Sequence, residues 1–279
     1  MICSAFSLGF GRQLFFGLLT VLTLSAGEIT PALKSTEIII VGTVHKETKA
    51  FASKDLLAIL KAVHPEVILC ERDSSFFTRD FKFNHLFGGL EETAICEYLK
   101  TEQALLRPYD IEGRNQFYRD HDTFNLEEAF SKELQTLARS GKLDPVVKET
   151  LKIVYASFQK RDAFGLADPR HINSFDCDSV LAEKWFAMDQ GYTEIIKRTP
   201  ELKRYDGFHH VNRAFELERN NTMVRNIVNH AEAFQGKRIV VICGFEHRHF
   251  LRIHLSFIEN PSFRLNEYWD YEDKSIPGK

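Results

Sequence analysis

Glu37-Ile38-Ile39-Ile40-Val41-Gly42-Thr43-Val44-His45 decides how the rest of the chain is read. Four successive β-branched apolar residues, Ile38 to Val41, mark a strand buried on both faces, as in a parallel sheet covered by helices. The glycine marks where the backbone turns, and a histidine follows three residues later. The pattern recurs far down the chain, where Arg238-Ile239-Val240-Val241-Ile242-Cys243 reads as a second buried strand running into Gly244-Phe245-Glu246-His247. Ligands of open α/β sheets collect outside the carboxyl ends of the strands. If the two strands are parallel neighbours, their G-x-x-H exits place His45 and His247 in one crevice.

Between these strands the chain reads as a β-α-β unit followed by helices. A helix from about Ser53 carries Leu56, Leu57, Leu60 and Val63 on one face and ends at His64-Pro65. Val67 to Cys70 makes another buried strand, which leaves the sheet at Glu71-Arg72-Asp73. The aromatic stretch from Phe76 to Phe87 reads as a flap or a buried loop, and Gly88-Gly89 breaks it. A second helix is expected over Glu91 to Thr101, with Ala94, Ile95, Tyr98 and Leu99 inward. Ala104 to Ile111 gives an edge strand ending near Pro108, with Asp110, Glu112 and Arg114 at its exit. The segment of about 115–205 reads as a helical insertion packed over the sheet. Asn125 with Glu128 resembles a capping box there, Asp144-Pro145 opens the next helix, and a further helix spans Ser179 to Lys197. A long helix from about Phe208 to Phe234 returns the chain to the sheet, with Arg219 one turn ahead of an apolar stripe. His209-His210 falls at its solvated end. A helix to about Ile258 and an edge strand within Pro261 to Tyr268 complete the domain of residues 27–270, leaving 271–279 as a tail.

Arg12 followed by the apolar run Leu14 to Leu24 and by Ser25-Ala26-Gly27 reads as a cleaved signal over residues 1–26, implying a secreted or periplasmic protein, with an uncleaved segment acting as a membrane anchor as the alternative. The run is too short to span a bilayer, so no membrane span is expected in the mature form. Cys70 and Cys243 lie inside strands and read as small apolar residues, and no CxxC or disulfide spacing is present. The whole chain has 36 Lys and Arg against 39 Asp and Glu. No basic stripe points to nucleic acid. There is no G-x-S-x-G elbow, P-loop, H-E-x-x-H or dinucleotide fingerprint. Two histidines and a carboxylate at strand ends could hold a divalent metal, or supply a general base and the acid that orients it. Glu246 reads equally as a first-turn helix acid. His249 is a second candidate beside His247, although residues two apart on a helix do not share a face.

The strand with Gly42-Thr43-Val44-His45, the strand ending Cys70-Glu71-Arg72, the Gly89-Leu90-Glu91 helix start with Ala94, the Glu218-Arg219-Asn220-Asn221-Thr222-Met223 helix and the strand closing in Gly244-Phe245-Glu246-His247 together resemble the TraB/GumN/Tiki group. That group shares its architecture with erythromycin esterase-like and ChaN-like proteins. The resemblance runs over about residues 37–256 and leaves the helical middle unmatched. It implies an α/β fold with a mainly parallel central sheet, flanking helices and a helical insertion. It also implies a metal-dependent hydrolase of peptide or ester bonds. On that resemblance a Mn, Co or Zn ion would be held by His45, His247 and Glu91, with Glu92 able to replace Glu91. Glu71 would be the general base, Arg219 the oxyanion or carboxylate contact, and Arg114 and His249 would meet a peptide or small-molecule substrate. The sequence departs from the group where Arg248-His249 follows His247. Two rivals stand beside this expectation. One is a metal-free esterase using His45 oriented by Glu71. The other is a binding protein whose Phe76, Phe77, Phe81, Phe83 and Phe87 close over an apolar ligand.

Overall fold

The computed structural model describes residues 35–86, 88–259 and 261–272. The signal-peptide reading, the end of the tail and Phe87 lie outside them. Five strands, β1 (Thr36–Thr43), β2 (Val67–Cys70), β3 (Leu105–Pro108), β4 (Arg238–Gly244) and β5 (Phe263–Asn266), form one sheet in the order β3-β2-β4-β1-β5. Every pairing is parallel, and Gly42 stands beside Cys243 and Thr43 beside Gly244. The fold is therefore α/β. The strand laid down last but one enters between the first two, so the exits of β1, β4 and β2 lie side by side.

Side chains of β1 alternate between two apolar layers, as the strand period requires. Ile39 and Val41 pack with α1 (Ser53–Val63), α2 (Leu90–Leu99) and the start of α7 (Phe175–Arg198) through Leu56, Leu60, Ala94, Ile95, Cys177 and Leu181. Ile38 and Ile40 pack with α8 (Asp206–Ala233) and α9 (Phe245–Ser256) through Met223, Ile227, Ala231, Leu251 and Leu255. Helix α1 stops at Val63, where His64 takes a left-handed conformation before Pro65.

The helical middle is richer than its periodicity suggests, with α3 (Arg114–Asp120), α4 (Thr123–Arg139), α5 (Pro145–Gly165) and α6 (Pro169–Ile172) preceding α7. Helix α4 begins ahead of the expected capping box, so Asn125 lies inside it and donates to Asp122 Oδ1. The Asp144-Pro145 start of α5 is as read: Asp144 accepts from the amides of Val146 and Val147 at 2.8 and 3.0 Å. Helix α7 starts earlier than Ser179 because Ser174 caps it. These helices do not simply cover the sheet. Phe130 and Leu134 of α4, Val147 and Leu151 of α5, and Ile195 and Ile196 of α7 build an apolar core of their own. All described residues nonetheless fall in one compact unit.

Helices α5 and α7 touch at Gly191, where an added Cβ would strike Val154 Cγ2. Gly191→Ala gains ~1 kcal/mol of helix propensity but overpacks this contact at a cost of ~1–3 kcal/mol. A net loss of stability is expected in thermal unfolding, and Val154→Ala in the same chain should reverse it. If Gly191→Ala raises the midpoint, the contact is not as tight as described.

The expected tail begins as structure: Tyr271 donates to Glu37 Oε2 at 2.8 Å and receives a bond from Asn266 at 2.7 Å. No helix among the described residues is long and apolar enough to cross a membrane.

Candidate active site

Strand β5 reaches only Ile39 of β1, so the last backbone groups of β1 need another partner. Buried Asn173, just after α6, supplies it: its Oδ1 accepts from Gly42 N at 2.6 Å and its Nδ2 donates to Gly42 O at 3.1 Å. The chain then leaves β1 through Thr43 and places His45 in a left-handed conformation at φ 60°. The carbonyl of His45 accepts from Leu90 N, the first residue of α2, at 3.3 Å. This contact brings the first turn of α2 beneath the imidazole.

His45 Nδ1 is 2.8 Å from Glu91 Oε1, and the Thr43 hydroxyl donates to the same oxygen and also lies 3.2 Å from Cys243 O. The Glu91 side chain is 8% exposed and that of His45 49% exposed, so the carboxylate is the buried orienting member of the pair and the imidazole the accessible one. The hydrogen bond from Glu91 raises the His45 pKa; burial opposes the shift, and the charges of Glu71 and Glu91 add to it. Burial pushes the Glu91 carboxyl up, but its bonds to His45 and Thr43 outweigh that and hold it below the ordinary range. Gly244 is required beside them, because a Cβ there would lie 2.5 Å from His45 Nε2. Of the two neighbouring acids at the start of α2, Glu91 is the one on His45. Glu92 turns toward Gly88 N, at 3.1 Å, and Arg72, at 3.6 Å.

His247 belongs to a different network. Its Nδ1 donates to Asn220 Oδ1 at 2.7 Å, which leaves Nε2 to accept from Arg219 Nη1 at 3.2 Å. Burial and the guanidinium lower its pKa against the pull of Glu71. Arg219 holds Asp110 through Nε at 2.9 Å and Nη2 at 3.0 Å, and donates from Nη2 to Glu71 Oε1 at 2.5 Å. Glu71 Oε2 accepts from Gly244 N at 2.5 Å. Burial works to raise the Glu71 pKa, and the facing His247 and Arg219 more than offset it, holding it at about 2.

A cavity of about 930 Å³ opens above these exits. Its floor includes His45, Gly244, Glu246, His247 and His249. Its walls are aromatic residues of the helical middle and α8, among them Tyr118, Phe158, Trp185, Tyr192 and Phe208. The expected site residues therefore divide. His45, His247 and His249 face the cavity, the last two from the start of α9. Glu91 lies behind His45. Glu71 and Arg219 form a buried lattice beneath, where Glu71 is committed to Arg219 and Gly244 and is not the partner that orients His45. Arg114 does not line the cavity: it donates to Asp110 Oδ2 at 2.7 Å and stands 4.0 Å from Glu71. Phe76, Phe77, Phe81 and Phe83 are not lining residues either; Phe77 and Phe83 stack on each other at 5.3 Å and pack against the sheet core. Conversely His209, read as solvated, lines the cavity and lies 3.2 Å from Thr193 Oγ1.

The metal expectation meets an arrangement of a different kind. Among the described residues no three His, Cys, Asp or Glu side chains are grouped to hold an ion. His45 Nδ1 and Glu91 Oε1 are bonded to each other, and His247 Nε2 faces a guanidinium whose charge opposes a dication there. These side chains do not fit a shared ion.

The structure thus defines an α/β protein with an oriented, accessible histidine at the strand exits, under a large aromatic cavity. No family model, curated protein or solved structure matches the chain.

Proposed function

We propose that the chain hydrolyses ester or amide bonds with water activated by His45. The observation that supports this is the Glu91–His45 pair at 2.8 Å, whose imidazole is accessible at the floor of the cavity. With Nδ1–H held on Glu91, Nε2 is the basic nitrogen, and it has no hydrogen-bond partner among the described residues. Nε2 takes a proton from water as the water oxygen adds to the carbonyl carbon. When the tetrahedral intermediate collapses, the C–O or C–N bond breaks and the imidazolium returns that proton to the leaving oxygen or nitrogen. The first turn of α9, which lines the cavity at Phe245 to His247, offers the positive end of a helix to the developing oxyanion. The cavity lies within the size range of small-molecule sites, roughly 300–1,000 Å³.

The second reading is capture of an apolar ligand or peptide without turnover, and the aromatic walls favour it. The test is a panel of aryl and alkyl esters and aminoacyl anilides, assayed with wild type and His45→Ala, each with chelator and with added Mn, Co or Zn. Turnover that survives chelation and falls at least a hundredfold in His45→Ala is expected. Equal turnover by both proteins would remove His45 from the chemistry. Loss on chelation with recovery on metal addition would return the metal hydrolase. Ligand binding without turnover of any substrate would leave the binding protein.

A further inference from the structure

The cavity contains a second polar centre that hydrolysis of a neutral ester does not require. Lys184 of α7 and Arg161 of α5 converge on one carboxylate, Glu246, at 2.7 and 3.1 Å. All three residues line the cavity. The Lys184 side chain is only 4% exposed, and its ammonium sits 3.8 Å from the Trp185 ring and 5.2 Å from that of Phe158. Burying an ammonium is costly unless it is matched by charge. Here two cations share one acid, and the other acid on Arg161, Asp162, is turned outward and 62% exposed.

The other charged residues of the lining are Arg213, Asp189, Glu216 and Glu127, and each has a partner of its own. Arg213 is paired with Asp189, Glu216 bonds Tyr118 at 2.7 Å and lies 3.6 Å from Arg219, and Glu127 receives a bond from Asn212 at 3.1 Å. On the α5 and α7 wall, by contrast, two cations meet a single carboxylate of the lining, Glu246. Lys184 has three N–H donors and gives one to Glu246. Glu246 follows Gly244 by two residues, and Gly244 is where His45 rests, so this wall adjoins the reacting end of the cavity. The neighbouring His249 adds no charge: its Nδ1 lies 2.9 Å from Glu246 O, and burial lowers its pKa to about 4.

We propose that Lys184 and Arg161 form an anion subsite, so that the substrate is an ester or amide carrying a carboxylate on an aromatic or acyl body. The aromatic walls take the body and the two cations take the carboxylate. The substrate class rests on the hydrolase reading above; the anion subsite can be tested apart from it.

Trp185 provides a readout that needs no turnover, since it touches Lys184 and is one of only two tryptophans in the chain. The probes are 4-phenylbutyrate and its neutral counterpart 4-phenylbutanol, titrated against tryptophan fluorescence of the full chain. The carboxylate is expected to bind at least tenfold tighter than the alcohol. Lys184→Met keeps the stem packed and should make the two probes equal. Glu246→Gln removes the competing acid and should tighten the carboxylate alone. Equal binding of both probes by wild type, binding of neither, or an unchanged preference in Lys184→Met would overturn the subsite. Paired esters with and without a carboxylate separate the two ideas. Turnover through His45 with no charge preference leaves the hydrolase and removes the subsite. Preferential binding of phenylbutyrate with no turnover removes the hydrolase and leaves the subsite.

Discussion

Arg219→Met is expected to cost about 3–5 kcal/mol of stability, the size seen when one partner of a buried ion pair is removed. The guanidinium is the common partner of two carboxylates with almost no access to water: Asp110, whose side chain is 1% exposed, and Glu71, whose side chain is 7% exposed. Arg114 stays at 2.7 Å from Asp110 but only 4.0 Å from Glu71, so the charge left without compensation is mainly that of Glu71. Urea unfolding at neutral pH measures the loss, and Glu71→Gln combined with Arg219→Met should restore a large part by neutralising the orphaned acid. A loss below about 1 kcal/mol would mean that the lattice is solvated and of the kind found at surfaces. The same lattice predicts acid sensitivity. Glu71 is held at about 2 in the fold, below the usual glutamate value of about 4.3. A depressed carboxyl contributes stability that is present above its unfolded pKa and disappears as pH falls through the folded one. The Glu71 contribution should therefore fade between about pH 4 and pH 2.

Glu91→Gln is expected to lower turnover of a responsive ester by roughly 10²–10⁴-fold, because the carboxylate sets both the tautomer and the orientation of His45. It should also move the pH profile. His45 acts as a base only when neutral, and Glu91 raises its pKa, so wild-type activity should climb with pH through a midpoint above the ordinary imidazole value of about 6.5. Removing Glu91 takes away the largest cause of that shift, and the rising limb should move to lower pH while its plateau drops. A fall in rate with an unmoved limb would assign the midpoint to another group, and an unaffected rate would exclude the pair from the chemistry. Circular dichroism of the variant is a necessary companion measurement, since Glu91 also receives the Thr43 hydroxyl.

Residue order alone specified the strands and where they end. Runs such as Ile38 to Val41 and Ile239 to Ile242 admit little besides strands buried on both faces, and glycine followed by histidine marks their exits. Sequence reading also singled out His45, His247 and Glu91, as metal ligands. It could not say which carboxylate His45 meets. Both Glu71 and Glu91 follow plausible exits, and only the insertion of β4 between β1 and β2 draws Glu71 under Gly244 and leaves Glu91 to the imidazole. Arg114 was misplaced for the same reason: its acidic partner, Asp110, comes from the exit of β3 and already serves Arg219.

The helical middle was legible as helices but not as cavity walls. Its amphipathic stripes state that one face is buried, not what covers it, and a phenylalanine in a core and one facing a ligand have the same sequence signal. The aromatic run from Phe76 read as a flap or a buried loop and is partly core, whereas Phe158, which continued the apolar stripe of its helix, and Trp185, which carried no pattern, line the cavity. Local rules thus determined elements, exits and the candidate base, because propensity, period and turn chemistry act over a few residues. Pairing of charges and the making of a cavity depend on contacts between segments far apart in the chain, and only the tertiary structure decided those.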